Sequence, residues 1–238
     1  MKKRFSLLVF LILNISANTI DLFSDEQAEG LRFLEKRKTK IEKVLEQYDG
    51  LNPSTVLASV APELMRYHLF QNFIETKVLE KWYVEYGADQ ADFSIGYFQM
   101  KPSFIEKLED HLKEISTSDC IGLNHFNYPI KTPSAIRKER LERLKDFQWQ
   151  LHYACLFYII SEHCFGELAF KNKAERVQFY ATAYNFGFEK SIEKIYSWES
   201  TKAFPYGKKF KFEQAAYGEL ATQFYFNLLS IFTSKSIS

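Results

Sequence analysis

The sequence predicts a mostly α fold built as one domain. Apolar residues recur at helical spacing along nearly the whole chain. Helix-start residues precede several of these runs. Strand signals are confined to one stretch, Lys81 to Phe98, where Trp82, Val84, Tyr86, Phe93 and Tyr97 surround Gly87 and Gly96. That stretch reads as a small β-hairpin or an irregular insertion. The chain has 238 residues, 46% of them hydrophobic and 26% charged, enough to bury a core without disulfide or metal staples. Nine Gly and six Pro exclude a collagen-like or low-complexity chain.

At the N-terminus, Lys2, Lys3 and Arg4 precede an apolar run from Phe5 to Ile15, followed by Ser16, Ala17 and Asn18. This is the pattern of a secretory signal over residues 1–17. The run is too short to span a bilayer as a helix. No Cys lies near the exit, so no stable membrane anchor is expected. The expected location is periplasmic or secreted. Lys+Arg is 31 against Asp+Glu at 30, and loss of the leader tips the rest slightly acidic. Nucleic acid is therefore not an expected partner.

The elements then follow in order. Ser24 with Gln27 predicts a capping box. Leu31, Leu34, Ile41, Val44, Leu45 and Tyr48 fall near helical spacing, and Gly50 can end that helix. Asn52-Pro53 opens a second helix. Ser103 with Glu106 predicts another capping box, for a helix through about Ile115. Residues 116–135 read as a long loop. The charge run Arg137 to Lys145 reads as the solvated face of a helix, continuing into the aromatic segment Phe147 to Ile160. Ala174 to Tyr184 is helical, with Val177, Tyr180, Ala181 and Tyr184 on one face. Phe204 to Phe212 is a basic-aromatic loop. Its Lys208, Lys209 and Lys211 are read as solvated, with an anionic polymer as the alternative contact. Glu213 to Phe232 is a last amphipathic helix.

Cysteine and histidine spacing points to no metal. Cys155 and Cys164 would lie roughly 13 Å apart on one helix, too far to bridge. Cys120 with either of them stays open. His152 and His163 would be about three turns apart, too far to share an ion. No CxxC or HExxH spacing occurs, and no cofactor is expected.

Three segments stand out together: Asn52-Pro53 through Pro62-Glu63, Gly96-Tyr97-Phe98-Gln99-Met100-Lys101-Pro102, and Ala183-Tyr184-Asn185-Phe186-Gly187. In this order they resemble the lytic transglycosylase branch of the lysozyme-like superfamily, over roughly residues 50–200. Pro53, Ala58 and Glu63 keep the family's spacing between helix start and catalytic Glu. The resemblance implies a single lysozyme-like helical domain. It also implies an exported monomer that cleaves the bond between N-acetylmuramic acid and N-acetylglucosamine in peptidoglycan glycan strands. Glu63 would be the acid and base. Gln99, Tyr184, Asn185, Gly96 and Tyr97 would hold substrate, and the sugar's own N-acetyl group would assist. Asp92 is the candidate second carboxylate if the enzyme were a hydrolase.

The chain departs from the family in several places. Leu64 follows the Glu where Ser is usual, Pro62 precedes it, and Phe186 replaces a small residue. The interval from Glu63 to Gly96 is long and contains Glu75, Glu80 and Glu85. These departures motivate a rival reading, a lysozyme-like glycan-binding or scaffolding module without turnover. A third is a secreted helical interaction protein. Each site residue also has a plainer reading. Glu63 could be a first-turn acid favoured by the helix dipole, Asn185 and Gly187 a helix end, Gln99 a surface amide and Tyr184 a core residue.

Overall fold

The computed structural model describes residues 23–70, 76–115, 123–129 and 131–233. The leader at 1–17, Cys120, Glu75 and much of the 116–135 loop lie outside them. Among the described residues the chain is mostly helical, with eleven α-helices and one two-stranded sheet. The helices are α1 (Ser24–Glu35), α2 (Lys38–Leu45), α3 (Pro53–Val60), α4 (Pro62–Phe70), α5 (Thr76–Tyr86) and α6 (Pro102–Glu114). A 3-10 turn (Leu123–Phe126) follows, then α7 (Pro133–Lys145), α8 (Phe147–Phe165), α9 (Lys173–Phe186) and α10 (Ile192–Trp198). Strands β1 (Lys202–Phe204) and β2 (Ala215–Ala216) pair antiparallel before α11 (Tyr217–Thr233).

The centre is α3. Asn52 caps it, its side-chain oxygen accepting from the Ser54 and Thr55 amides at 2.9 and 3.3 Å, with Pro53 in the first turn. Every residue from Ser54 to Val60 is buried. A helix buried on all sides needs neighbours all round, and α9, α11 and α8 supply them. The face of Val177, Tyr180, Ala181 and Tyr184 is buried as its spacing predicts. Gly218 lets α11 approach α9, since a Cβ there would lie 2.7 Å from Thr182 Oγ1 and 2.9 Å from the Gln178 carbonyl.

Several expectations are corrected. The Ser24 capping box does not form. Phe23 occupies the cap position with its ring buried, and the Gln27 amide donates to Gln223 instead. The first helical pattern is two helices, α1 and α2, separated at Lys36 and Arg37. Ser103 is not a cap either: Pro102 begins α6 and Lys101 holds the cap position. Glu106 instead accepts from Tyr83 and Arg140. Of the two forms expected for Lys81 to Phe98, the irregular one holds beyond Tyr86, with an isolated bridge from Ile95 to Met100 in place of a hairpin of strands. Trp82, Val84 and Tyr86 are on α5, and the sheet lies at β1–β2. α7 does not run into α8, because Asp146 leaves the helix and caps α8 at the Trp149 amide (2.9 Å).

The charge run of α7 is solvated on one side only, where Lys138, Glu142 and Lys145 are exposed. Arg140 and Arg143 are buried with Leu141 and Leu144. Arg140 donates to Glu109 Oε2 at 2.6 and 3.1 Å, to Glu106 Oε1 at 2.8 Å and to the Tyr83 hydroxyl at 2.5 Å. Tyr128 and Tyr153 hydroxyls donate to the other Glu109 oxygen. One buried ion pair thus joins α5, α6, α7, α8 and the segment after the 3-10 turn. Such a pair is tolerated because its polar atoms are matched. Arg143 caps the 3-10 turn, donating to the Phe126 and Asn127 carbonyls at 2.8 and 3.0 Å.

Cys155 and Cys164 are both on α8 and do not bridge each other, as their spacing predicts. His152 and His163 also share α8. His152 is structural: the Tyr48 hydroxyl lies 2.6 Å from its Nδ1 and 3.0 Å from His125 Nε2. Burial and the neighbouring His125 hold the His152 imidazole down to about 4, so it is neutral at pH 7.

Removing one member of the Arg140–Glu109 pair leaves a buried charge. Arg140→Met is expected to cost about 3–5 kcal/mol in denaturant unfolding, and Glu109→Gln in the same chain to recover part of it.

Candidate active site

Pro62 sets the local geometry of the site. Its missing N–H and ring cannot continue α3, so the chain turns at Ala61 and restarts as α4. Leu64 N–H donates back to the Ala61 carbonyl at 3.0 Å. Glu63 is therefore in the first turn of α4 rather than at the end of α3. Despite that position it is buried, at 3% exposure, beside fully buried Val60, Leu64 and Met65.

Burial dominates its electrostatics and pushes the Glu63 carboxyl up to about 7. The Arg66 charge and the polar Asn185 amide oppose that shift. Arg66 Nη1 lies 3.7 Å from Glu63 Oε2, and Oε2 has no hydrogen-bond partner among the described residues. Two tyrosines border the group but direct their protons elsewhere. Tyr184 donates to the Phe98 carbonyl at 2.7 Å, and Tyr217 to the Ser59 carbonyl at 3.4 Å. Burial raises both phenols well above their usual range, and the Glu63 charge adds to the rise. Both are neutral at any ordinary pH.

Glu63 opens into a cleft of about 310 Å³. Gln99, Tyr184 and Asn185 line it with Glu63, so three distant segments of sequence meet here. Phe104, Phe186 and Phe188 give it apolar walls, and Gly187 extends the rim. Gly187 takes φ +120° as α9 ends, its N–H donating to the Ala183 carbonyl at 2.8 Å. The exposed Asn185, in the last turn of α9, lines the cleft.

Gly96 and Tyr97 are not on the cleft. They build the turn that carries Gln99. Ile95 and Met100 bridge across that turn with bonds of 2.9 and 3.1 Å. Gly96 takes φ +70° and Gln99 φ +49°, and the Gln99 amide donates to the Gly96 carbonyl at 2.8 Å. Gln150 of α8 pins the turn from below. Its oxygen accepts from Phe98 N–H at 2.8 Å, and its amide donates to the Leu144 carbonyl at 2.7 Å. A Cβ on Gly96 would fall 1.7 Å from Gln150 Nε2. Tyr97 faces away, its ring 4.7 Å from Phe33, 4.9 Å from Tyr67 and 5.6 Å from Phe147.

Asp92 reaches the cleft but is occupied. Its Oδ1 accepts from the Ser103 amide at 3.0 Å, capping α6, and Oδ2 lies 3.5 Å from Lys101 Nζ. Glu80 pairs with Lys145 and Glu85 with Lys81, both away from the cleft. Glu189, on the cleft rim, pairs with Lys107.

Sequence reasoning missed Arg66 and Tyr217. Arg66 carries a local signal, since a basic residue three positions after an acid shares its helix face. Tyr217 carries none, because only the packing of α11 on α3 brings it in.

The arrangement provides one buried carboxyl, a mixed polar and aromatic cleft, and neutral phenols as scaffold. No family model, curated protein or solved structure matches the chain.

Glu63 is raised from 4.5 to about 7, so it favours the fold when protonated. That contribution is complete below about 4.5 and is lost as pH rises through 7. Glu63→Gln should match the wild type in stability at pH 4 and exceed it by roughly 3 kcal/mol at pH 8, measured by urea unfolding at both pH values. Gly96→Ala, strained in backbone and crowded by Gln150, should cost roughly 2–4 kcal/mol in the same assay.

Proposed function

We propose that the protein is an exported lytic transglycosylase that cleaves peptidoglycan glycan strands, with Glu63 as its one acid and base. The observation that carries this reading is a buried carboxyl held near pH 7 where the three motif segments converge. A group with that pKa can give up a proton at neutral pH and take one back.

The scheme follows the family resemblance. Protonated Glu63 gives its proton to the glycosidic oxygen as the bond to C1 of the muramic acid breaks. The N-acetyl carbonyl oxygen closes on C1 and holds the positive charge. Glu63, now a carboxylate, accepts the proton of the C6 hydroxyl, whose oxygen displaces the acetamido oxygen at C1. The product is a 1,6-anhydro sugar, and Glu63 regains its proton. Gln99 and Asn185 offer amides to the sugar and its N-acetyl group, while Phe104 and Phe186 offer apolar faces to the rings. The engagement of Asp92 with Ser103 and Lys101 favours this single-acid scheme over a two-carboxylate hydrolase.

The rival reading is a glycan-binding module without turnover. It draws on Arg66, whose charge 3.7 Å away favours the ionised form of Glu63. Purified peptidoglycan incubated with the protein should yield anhydro-muropeptides by mass spectrometry, and none with Glu63→Gln. Reducing-end products would make it a hydrolase, and intact glycan with binding retained would make it the module. Because Glu63 must start protonated, kcat/KM should fall as pH rises through about 7.

A further inference from the structure

The loop between β1 and β2 is a held structure rather than a loose connection. Gly207 N–H donates to the Ala203 carbonyl at 2.5 Å, and Phe210 N–H to the Gly207 carbonyl at 3.1 Å. The Gln214 amide donates to the Gly207 and Phe210 carbonyls at 3.0 and 2.9 Å. This frame presents residues 208–213 to solvent without a break.

The exposed residues are two phenylalanines among three lysines. Phe210 is 55% exposed and Phe212 is 67% exposed. Their rings are near parallel at 6.5 Å, and Tyr206 packs beside Phe212 at 5.3 Å. Lys208, Lys209 and Lys211 surround them, with Glu213 the one acid of the segment. Clustered exposed aromatics mark interaction surfaces. Aromatic rings ringed by lysines match a membrane interface, where the rings enter the acyl boundary and the ammonium groups meet anionic headgroups.

We propose that the loop 205–214 docks this protein reversibly on an anionic phospholipid surface. The charge of the loop is complementary to such a surface. Phenyl rings also distinguish it from a polyanionic polymer, which rewards the lysines but gives no apolar depth for Phe210 and Phe212. Among the described residues no helix is long and apolar enough to cross a membrane. The loop connects to the cleft wall through one intervening ring. Lys208 lies 4.1 Å over the Trp198 ring, which stacks at 4.2 Å on Phe186 of the cleft. The docking does not depend on the chemistry assigned to Glu63.

The test is co-sedimentation of the full chain with vesicles of phosphatidylcholine alone or mixed equally with phosphatidylglycerol. Amide hydrogen exchange locates the contact. Mixed vesicles should bind the chain and slow exchange across 205–214, and added salt should weaken both effects. Phe210→Ser with Phe212→Ser should lower partitioning at least tenfold. Lys208→Gln, Lys209→Gln and Lys211→Gln together should lower it on the order of 100-fold. Equal protection of the loop by both vesicle types, or none by either, would overturn the proposal. So would loss with the lysine variant but not the phenylalanine variant, which is the behaviour of a polyanion-binding loop.

Discussion

The side-chain amide of Gln150 is the constraint on which the arrangement around the cleft depends. It is fully buried on α8 and satisfies two backbone groups of other segments, the Phe98 N–H and the Leu144 carbonyl. One amide therefore closes the end of α7 and fixes the turn from Gly96 to Met100. That turn holds Gln99 at the cleft, and its Phe98 carbonyl receives the Tyr184 hydroxyl. Gly96 follows from the same constraint, since any side chain would occupy the amide's place. A glycine that resembles a substrate residue in sequence is thus a packing requirement.

A second buried polar centre holds the other side of the molecule. Arg140 and Glu109 join four helices through shared hydrogen bonds with Tyr83, Tyr128 and Tyr153. Desolvating two charges is costly, so this pairing contributes specificity of arrangement more than net stability. Burial raises the Tyr153 phenol, so it acts as a donor to Glu109 and never as a second anion. Both centres are made of polar groups whose partners come from distant sequence, so each fixes a helix relative to others rather than merely filling space.

Glu63 contrasts with these centres. Every polar atom of the Gln150 amide used here has a partner, while Glu63 Oε2 has none among the described residues. Pro62 forces the helix restart that delivers the carboxyl into apolar surroundings, and Tyr184 and Tyr217 give their protons to backbone carbonyls. Folding alone gains nothing from a carboxyl left in that condition. Glu199 shares both features, a carboxyl pushed up to about 7 by burial and an oxygen without a partner among the described residues, so what sets Glu63 apart is the cleft it opens into.

Much of this was legible in the residues. The helical class, the Asn52-Pro53 cap, the buried face of α9 and the lack of a bridge between Cys155 and Cys164 follow from local spacing and stereochemistry. The meeting of Glu63, Gln99, Tyr184 and Asn185 was anticipated from the order of three motifs, while Gly96 and Tyr97 were assigned to the cleft and lie outside it. The burial of Arg140 and Arg143 was not legible, because a charge run on a helix is ordinarily solvated and only partners from other helices make burial tolerable. The capping boxes at Ser24 and Ser103 failed for a related reason, since Phe23 enters the core and Asp92 supplies the Ser103 contact. Tyr217 reaches Glu63 through packing of the last helix on the third. The sequence by itself determined the helical class, most of the helical segments and which residues could carry chemistry, because dihedral preference and periodicity act within a few residues. Tertiary structure alone decided which polar groups are buried, with which partners, and where Glu63 titrates, because desolvation depends on neighbours that the chain brings together only when it folds.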